Sequence, residues 1–145
     1  TVNAPLSADA MKIGATPETA AVFDFGIETQ PLLALLTFEI AAPQIESPPI
    51  VTINGQDAGA VAVTLPDLAD PGYRGVTQRL VNGMQFQYTG WLRAQKVIPA
   101  SALRAGNNTI TIQNGPNASA SVIRATQIQL KYLWDKSDYI LKPGN

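Results

Sequence analysis

Residues 98–112 read Ile98-Pro99-Ala100-Ser101-Ala102-Leu103-Arg104-Ala105-Gly106-Asn107-Asn108-Thr109-Ile110-Thr111-Ile112. An apolar residue and a proline lead into a small polar turn, a leucine tucks beneath it, and Gly106-Asn107 reverses the chain. Residues 108–112 then alternate polar with apolar, the pattern of a strand with one buried face. Residues 51–59, Val51-Thr52-Ile53-Asn54-Gly55-Gln56-Asp57-Ala58-Gly59, alternate in the same way and run into Asn-Gly, the strongest short hairpin signal. Two such segments commit the middle of the chain to antiparallel pairing. Gly55 and Gly106 are expected in tight turns because glycine takes positive φ without steric cost.

Further strand signals recur along the chain with turn residues between them. Residues 10–13 read as a first strand closed by Gly14, and residues 21–27 as another, bounded by Gln30-Pro31. Between 32 and 41 one parity is wholly apolar (Leu32, Ala34, Leu36, Phe38, Ile40), so that parity should face the core. The other parity holds Leu33, Leu35, Thr37 and Glu39, apolar at one end and polar at the other. Pro43 and Pro48-Pro49 form a rigid connector to a strand at 50–53, and residues 60–65 read as its hairpin return. Residues 66–75 have the Pro, Gly and Asp density of an ordered loop. Residues 76–80 and 84–88 read as a hairpin about Val81-Asn82-Gly83, and residues 91–98 carry the chain back into the fold. A last strand at 121–133 has a clean apolar parity only from Ile128, which calls for a bulge near Arg124-Ala125. Residues 134–145 read as a short tail that covers an edge or leads to another domain, with Lys142-Pro143-Gly144-Asn145 of linker composition. No segment sustains a helical period beyond about two turns, so the chain is all-β.

At 145 residues, 46% of them hydrophobic, the chain suits one domain spanning 1–145 with a core sealed between two sheets. Charged residues are only 14% of the total, against an ordinary share of about a quarter. Lys and Arg are scattered and the net charge is -1, which argues against the basic face expected of a nucleic-acid binder. Cysteine and histidine are both absent, so disulfides, soft-metal sites and Ser-His or Cys-His catalytic pairs are excluded. A polar, low-charge surface suits an extracellular or cell-surface protein, and the lack of disulfides points to a bacterial source, with archaeal or viral sources also fitting. The chain starts at Thr1 without a basic or apolar leader, so it reads as a mature or excised part of a larger protein. The longest apolar run, residues 32–36, is too short for a membrane span.

The two opening segments resemble those of galactose-binding-like jelly-roll domains of the carbohydrate-binding-module type. In that family a strand and turn close to V-x-V-N-G-x-x-x-G is followed by I-P-x-x-x-L-x-x-G-x-N-x-I-x-I. A closing strand similar to Gln127-Ile128-Gln129-Leu130-Lys131-Tyr132 returns beside the first strand. The resemblance covers the middle of the chain well and the first thirty residues poorly. It implies an antiparallel jelly-roll β-sandwich of about eight strands, a non-catalytic carbohydrate-binding role, and a structural calcium of the kind many such modules hold, for which no ligands are assigned. No other cofactor is expected.

Sugar binding needs an aromatic face for C–H stacking and planar polar groups for hydroxyls. Tyr73, Tyr88 and Trp91 supply the first; Arg74, Gln85, Gln87 and Arg93 supply the second. Each has a plainer rival. Tyr73 packed flat on the sandwich, with Asp67 and Asp70 capping turns, is the preferred account of that loop. For Trp91, flanked by Gly90 and Leu92, a core position is preferred over the sugar face. No pair among the 11 acidic residues, Glu39, Glu46, Asp67 and Asp70 included, has a context that singles out a glycosidase site. The sequons at Asn107 and Asn117 fall in turns and matter only in a eukaryotic secretory pathway. The alternative function is a structural or assembly domain that contacts other domains of a parent protein through the 32–40 segment, which is apolar on both parities at its start.

Overall fold

The computed structural model describes residues 2–41, 43, 46–65, 73–77, 84–88, 90–116, 118 and 120–132, with the backbone alone described for 73–77 and 84–88. Twelve strands lie within them: β1 (Val2–Ser7), β2 (Met11–Ile13), β3 (Ala21–Ile27), β4 (Leu33–Ala41), β5 (Ile50–Ile53), β6 (Gln56–Ala60), β7 (Ala62–Val63), β8 (Tyr73–Thr77), β9 (Met84–Tyr88), β10 (Trp91–Pro99), β11 (Gly106–Gln113) and β12 (Ser121–Lys131). One sheet runs β1-β12-β4-β10-β7, with β2 also on β12; the other runs β3-β11-β5-β6. Strands β8 and β9 pair as a separate hairpin. All pairings are antiparallel.

The period of two in the sequence becomes the inside and outside of this sandwich. In β4 the even residues Ala34, Leu36, Phe38 and Ile40 are buried, joined by Leu92, Ala94 and Ile98 of β10 and by Ile123, Ile128 and Leu130 of β12. The facing sheet contributes Phe23 and Ile27 of β3, Val51 and Ile53 of β5, and Ile110 and Ile112 of β11. These residues form one contiguous core. Each fully buried Ile, Leu or Phe contributes roughly 1.5–3 kcal/mol relative to leaving it in water.

The expected bulge in the last strand is present. Arg124 pairs with Glu39 and Gln127 with Thr37, so two residues of β12 oppose Phe38 alone. The extra residue, Ala125, has φ 52°. The inward set therefore changes from odd (Ser121, Ile123) to even (Thr126, Ile128, Leu130). The ladder between β1 and β12 shifts at the same point, between Pro5 and Ser7.

Three boundaries differ from those read in the sequence. The hairpin return of β5 is β6, which starts directly after the two-residue turn Asn54-Gly55 (φ 50° and 84°), not residues 60–65. The chain then leaves that sheet, and β7 joins β10 in the other. Residues 2–7, unread in the sequence, pair with β12, where Pro5 is tolerated because the strand lies at a sheet edge. Tyr73, placed in a loop by its Pro-Gly context, begins β8 and pairs with Tyr88. The 76–88 hairpin is otherwise present as β8 and β9; residues 78–83, the tail from 133, and Asp67 and Asp70 lie outside the described residues.

Candidate functional site

Two polar clusters stand out, and the first is the sequence motif itself. Asn108 has 0% of its surface exposed. Its Oδ1 accepts from Asn54 Nδ2 (2.9 Å) and from the Arg104 amide (3.0 Å), and its Nδ2 donates to the Arg104 and Gly106 carbonyls (2.8 and 3.2 Å). Asn54 Oδ1 accepts from the Thr109 amide at 2.8 Å, and Asn54 Nδ2 also donates to the Ala102 carbonyl at 3.2 Å. Gln30 donates to the Ala100 and Leu103 carbonyls of the same loop. The N-G and G-x-N elements are thus two halves of one latch that satisfies the backbone of residues 100–108. The side-chain amides of Asn54 and Asn108 are both spent on these bonds.

The second cluster lies on the outer face of the larger sheet. The register builds it in rows across β10, β4 and β12: Trp91, Ala41, Val122; then Arg93, Glu39, Arg124; then Gln95, Thr37, Gln127. Beside these rows the paired irregularities of β12 and β1 open a cleft of about 340 Å³, lined by Thr37, Glu39, Arg93, Gln127 and the bulged Ala125, with Ser7 and Pro5 on its β1 side. That volume is at the small end of the range for ligand sites, about 300–1,000 Å³. Bulges often re-aim side chains beside binding sites, and Ala125 at positive φ is the kind of backbone strain that collects there.

The cleft's polar groups are differently committed. Arg124 Nε donates to Glu39 Oε1 at 2.8 Å, and its guanidinium carbon sits 3.8 Å from the centroid of the Trp91 ring. The side chains of Arg93, Thr37 and Gln127 make no hydrogen bond or ion pair among the described residues. Planar amide, guanidinium and hydroxyl groups that the fold leaves uncommitted can donate to and accept from a polyhydroxylated ligand. Glu39 is the one carboxylate that lines the cleft among the described residues.

Of the residues singled out in the sequence, Arg93 lines this cleft and Trp91 stands in the next row. The preferred core position for Trp91 is overturned: the residue is 37% exposed on the outer face. The pairing of Leu92 with Ile40 fixes the parity of β10, and moving Trp91 inward would expel Leu92, Ala94 and Ile98. Tyr73, Arg74, Gln85, Gln87 and Tyr88 fall on β8 and β9, where Arg74 pairs with Gln87; their side chains lie outside the described residues. Glu39, Thr37, Gln127 and Arg124 were missed as a group. Their signal was the polar end of the outward parity of β4, readable only with its partner strands in register.

A second cleft of about 350 Å³ lies between β1 and β3, lined by Val2, Ala4, Ile27 and Leu130 with Glu28 and Thr29. Among the described residues no three Asp, Glu, His or Cys side chains gather as a metal site. No helix among the described residues is long and apolar enough to cross a membrane.

The fold is an all-β sandwich with a cleft on the outer face of one sheet. Comparison with protein-family models gave no match, and comparison with curated proteins gave none either. Among solved structures, the chain is similar to a family 35 carbohydrate-binding module from Clostridium thermocellum, at 16% identity and a TM-score of 0.49, over 88% of this chain and 98% of that one. It is also similar to part of the catalytic domain of a GH87 α-1,3-glucanase in complex with nigerose, at 14% identity and a TM-score of 0.44, over 89% of this chain and 26% of that one. A third likeness is to the catalytic unit of a thermostable GH87 α-1,3-glucanase from Streptomyces thermodiastaticus strain HF3-3, at 17% identity and a TM-score of 0.42, over 90% of this chain and 26% of that one. The sandwich itself is established by the strand pairing.

Proposed function

We propose that this domain is a non-catalytic carbohydrate-binding module, and that the outer-face cleft is where it holds a neutral or weakly acidic polysaccharide. The supporting observation is the set of uncommitted polar side chains, Arg93, Thr37 and Gln127, lining a cleft at a broken ladder beside Trp91. Sugars offer many donors and acceptors at short spacing, and planar guanidinium and amide groups on a sheet face can match them. Catalysis is not part of the proposal, because glycoside hydrolysis ordinarily uses two carboxylates and the described lining of the cleft offers one. Tyr73, Arg74, Gln85, Gln87 and Tyr88 extend the proposed site along β8 and β9, which lead directly into Trp91 and β10. The jelly-roll strand order and an extracellular or cell-surface setting on a larger bacterial protein complete the reading. Affinity should be micromolar or weaker, since contacts of this kind gain only about 0.5–1.5 kcal/mol each, with useful retention coming from linkage to other domains.

The test is affinity electrophoresis against a panel of plant and microbial polysaccharides. Retardation of the parent that is lost in folded Arg93→Ala and Gln127→Ala supports the reading. Retardation on no polysaccharide, or variants that bind as the parent does, overturns it.

A second reading, an assembly domain, has its own observation. The lower end of the same outer face carries Leu33 (41% exposed) and Val97 (54% exposed), with Leu35 and Pro99 beside them. A partner domain covering these residues would remove them from water. A mass that rises with concentration in sedimentation, and falls back with Val97→Lys, would favour this reading over sugar.

A further inference from the structure

We infer that Arg124 sets which glycans the outer face accepts, because its guanidinium lies over one face of the Trp91 ring beside the cleft. The inference rests on the carbohydrate reading above. Arg124 belongs to β12 and Trp91 to β10, so the side chain must cross β4 to reach the ring. It crosses where β4 offers little obstruction: Ala41, the register partner of both Trp91 and Val122, presents only a methyl group. Glu39 then holds the Arg124 Nε at 2.8 Å, while the guanidinium lies 3.8 Å from the ring centroid. That separation is van der Waals contact, with no room for another group between them. The approach comes from the β4 and β12 side, where Glu39, Thr37 and Gln127 line the cleft.

A pyranose stacks on an aromatic ring through a flat C–H face at the same contact distance, so it and Arg124 exclude one another. In the native domain the covered face of Trp91 therefore takes no part in stacking, and recognition beside it falls to the hydrogen-bonding groups of the cleft. Glycans whose recognition depends on flat apolar faces, such as β-1,4-linked glucan, are disfavoured. Removing Arg124 uncovers the platform. Lysine in its place cannot reproduce the cover, because a compact ammonium lacks the planar guanidinium that lies on the ring.

The chain has two tryptophans, so a Trp134→Phe background leaves Trp91 as the sole reporter. In that background, acrylamide quenching of fluorescence and retardation on hydroxyethylcellulose are measured for the parent, Arg124→Ala and Arg124→Lys, after thermal melts confirm folding. Quenching should rise in Arg124→Ala. Its retardation should strengthen by about three- to tenfold, the range one added aromatic contact gives, with Arg124→Lys in between. Unchanged quenching overturns the inference, because Arg124 then does not cover the ring. A parent retarded on some glycan, with an Arg124→Ala variant retarded less or no more on cellulose, overturns this inference alone. No retardation of parent or variants on any glycan sinks the carbohydrate reading and the inference with it.

Discussion

The Asn54–Asn108 latch and the outer-face cleft are both polar clusters in one β-sandwich, yet they treat their hydrogen bonds in opposite ways. In the latch the four side-chain bonds of Asn108 close on protein partners, and the residue is sealed from water. In the cleft Arg93, Thr37 and Gln127 make no such bond among the described residues, while Glu39 is paired with Arg124 of the adjoining row. A cluster whose groups satisfy one another stabilises the fold. One whose groups remain uncommitted, as Arg93 on the exposed surface and the half-buried Gln127 do, is available to a ligand; Thr37 beside them is itself buried. The most family-like residues of this chain therefore hold its loops, and the binding chemistry is proposed for residues that carry no motif.

That contrast yields predictions of decreasing size. Asn108→Ala should destabilise the domain by about 3 kcal/mol in chemical denaturation, because it strands buried partners of the latch. A loss below about 1 kcal/mol would remove the distinction between the two clusters. Next come the turns. A Cβ added at Gly55 or Gly106 meets nothing within 4 Å, but the backbone there lies at φ 84° and 96°. Gly55→Val in its turn and Gly106→Val at the start of β11 should each cost about 1–2 kcal/mol through backbone strain alone, and unchanged melting temperatures for both would refute the requirement for positive φ. Glu39→Gln should cost less than about 1 kcal/mol, since its ion pair with Arg124 is partly exposed. At the small end, Arg93→Ala and Gln127→Ala should leave stability within about 0.5 kcal/mol while weakening polysaccharide retardation. If either variant unfolds the domain, the cleft is part of the scaffold and the contrast fails.

How legible each cluster was in the sequence follows from how it is built. The latch joins two contiguous segments, and the Asn54-Gly55 turn was readable locally; Gly106-Asn107, expected to reverse the chain, instead opens β11 paired with Ile27 and Gly26, so only the positive φ of Gly106 was legible there. The apolar parity of β4 and the bulge at Ala125 were readable for the same reason, since each is a rule within one strand. The interlock of Asn54 with Asn108 was not, because it depends on β5 lying beside β11. The cleft is harder still. Arg93, Glu39 and Arg124 form a row only once β10, β4 and β12 are in register, and no local pattern links them. Trp91 shows the limit of local context: its neighbours suggested burial, while the pairing of Leu92 with Ile40 decided the opposite. Strand β1 was overlooked because Pro5 breaks its pattern, which an edge strand allows.

The central claim, that ligand is held by the outer-face cleft and not by the latch, is tested most directly by amide nuclear magnetic resonance. The ¹⁵N-labelled domain would be titrated with oligosaccharides from plant and bacterial cell walls. The account predicts shifts at Thr37, Glu39, Arg93 and residues 125–127, with Asn54 and Asn108 unmoved. No shift with any oligosaccharide, or shifts confined to the latch or to Leu33, Leu35 and Val97, would contradict it.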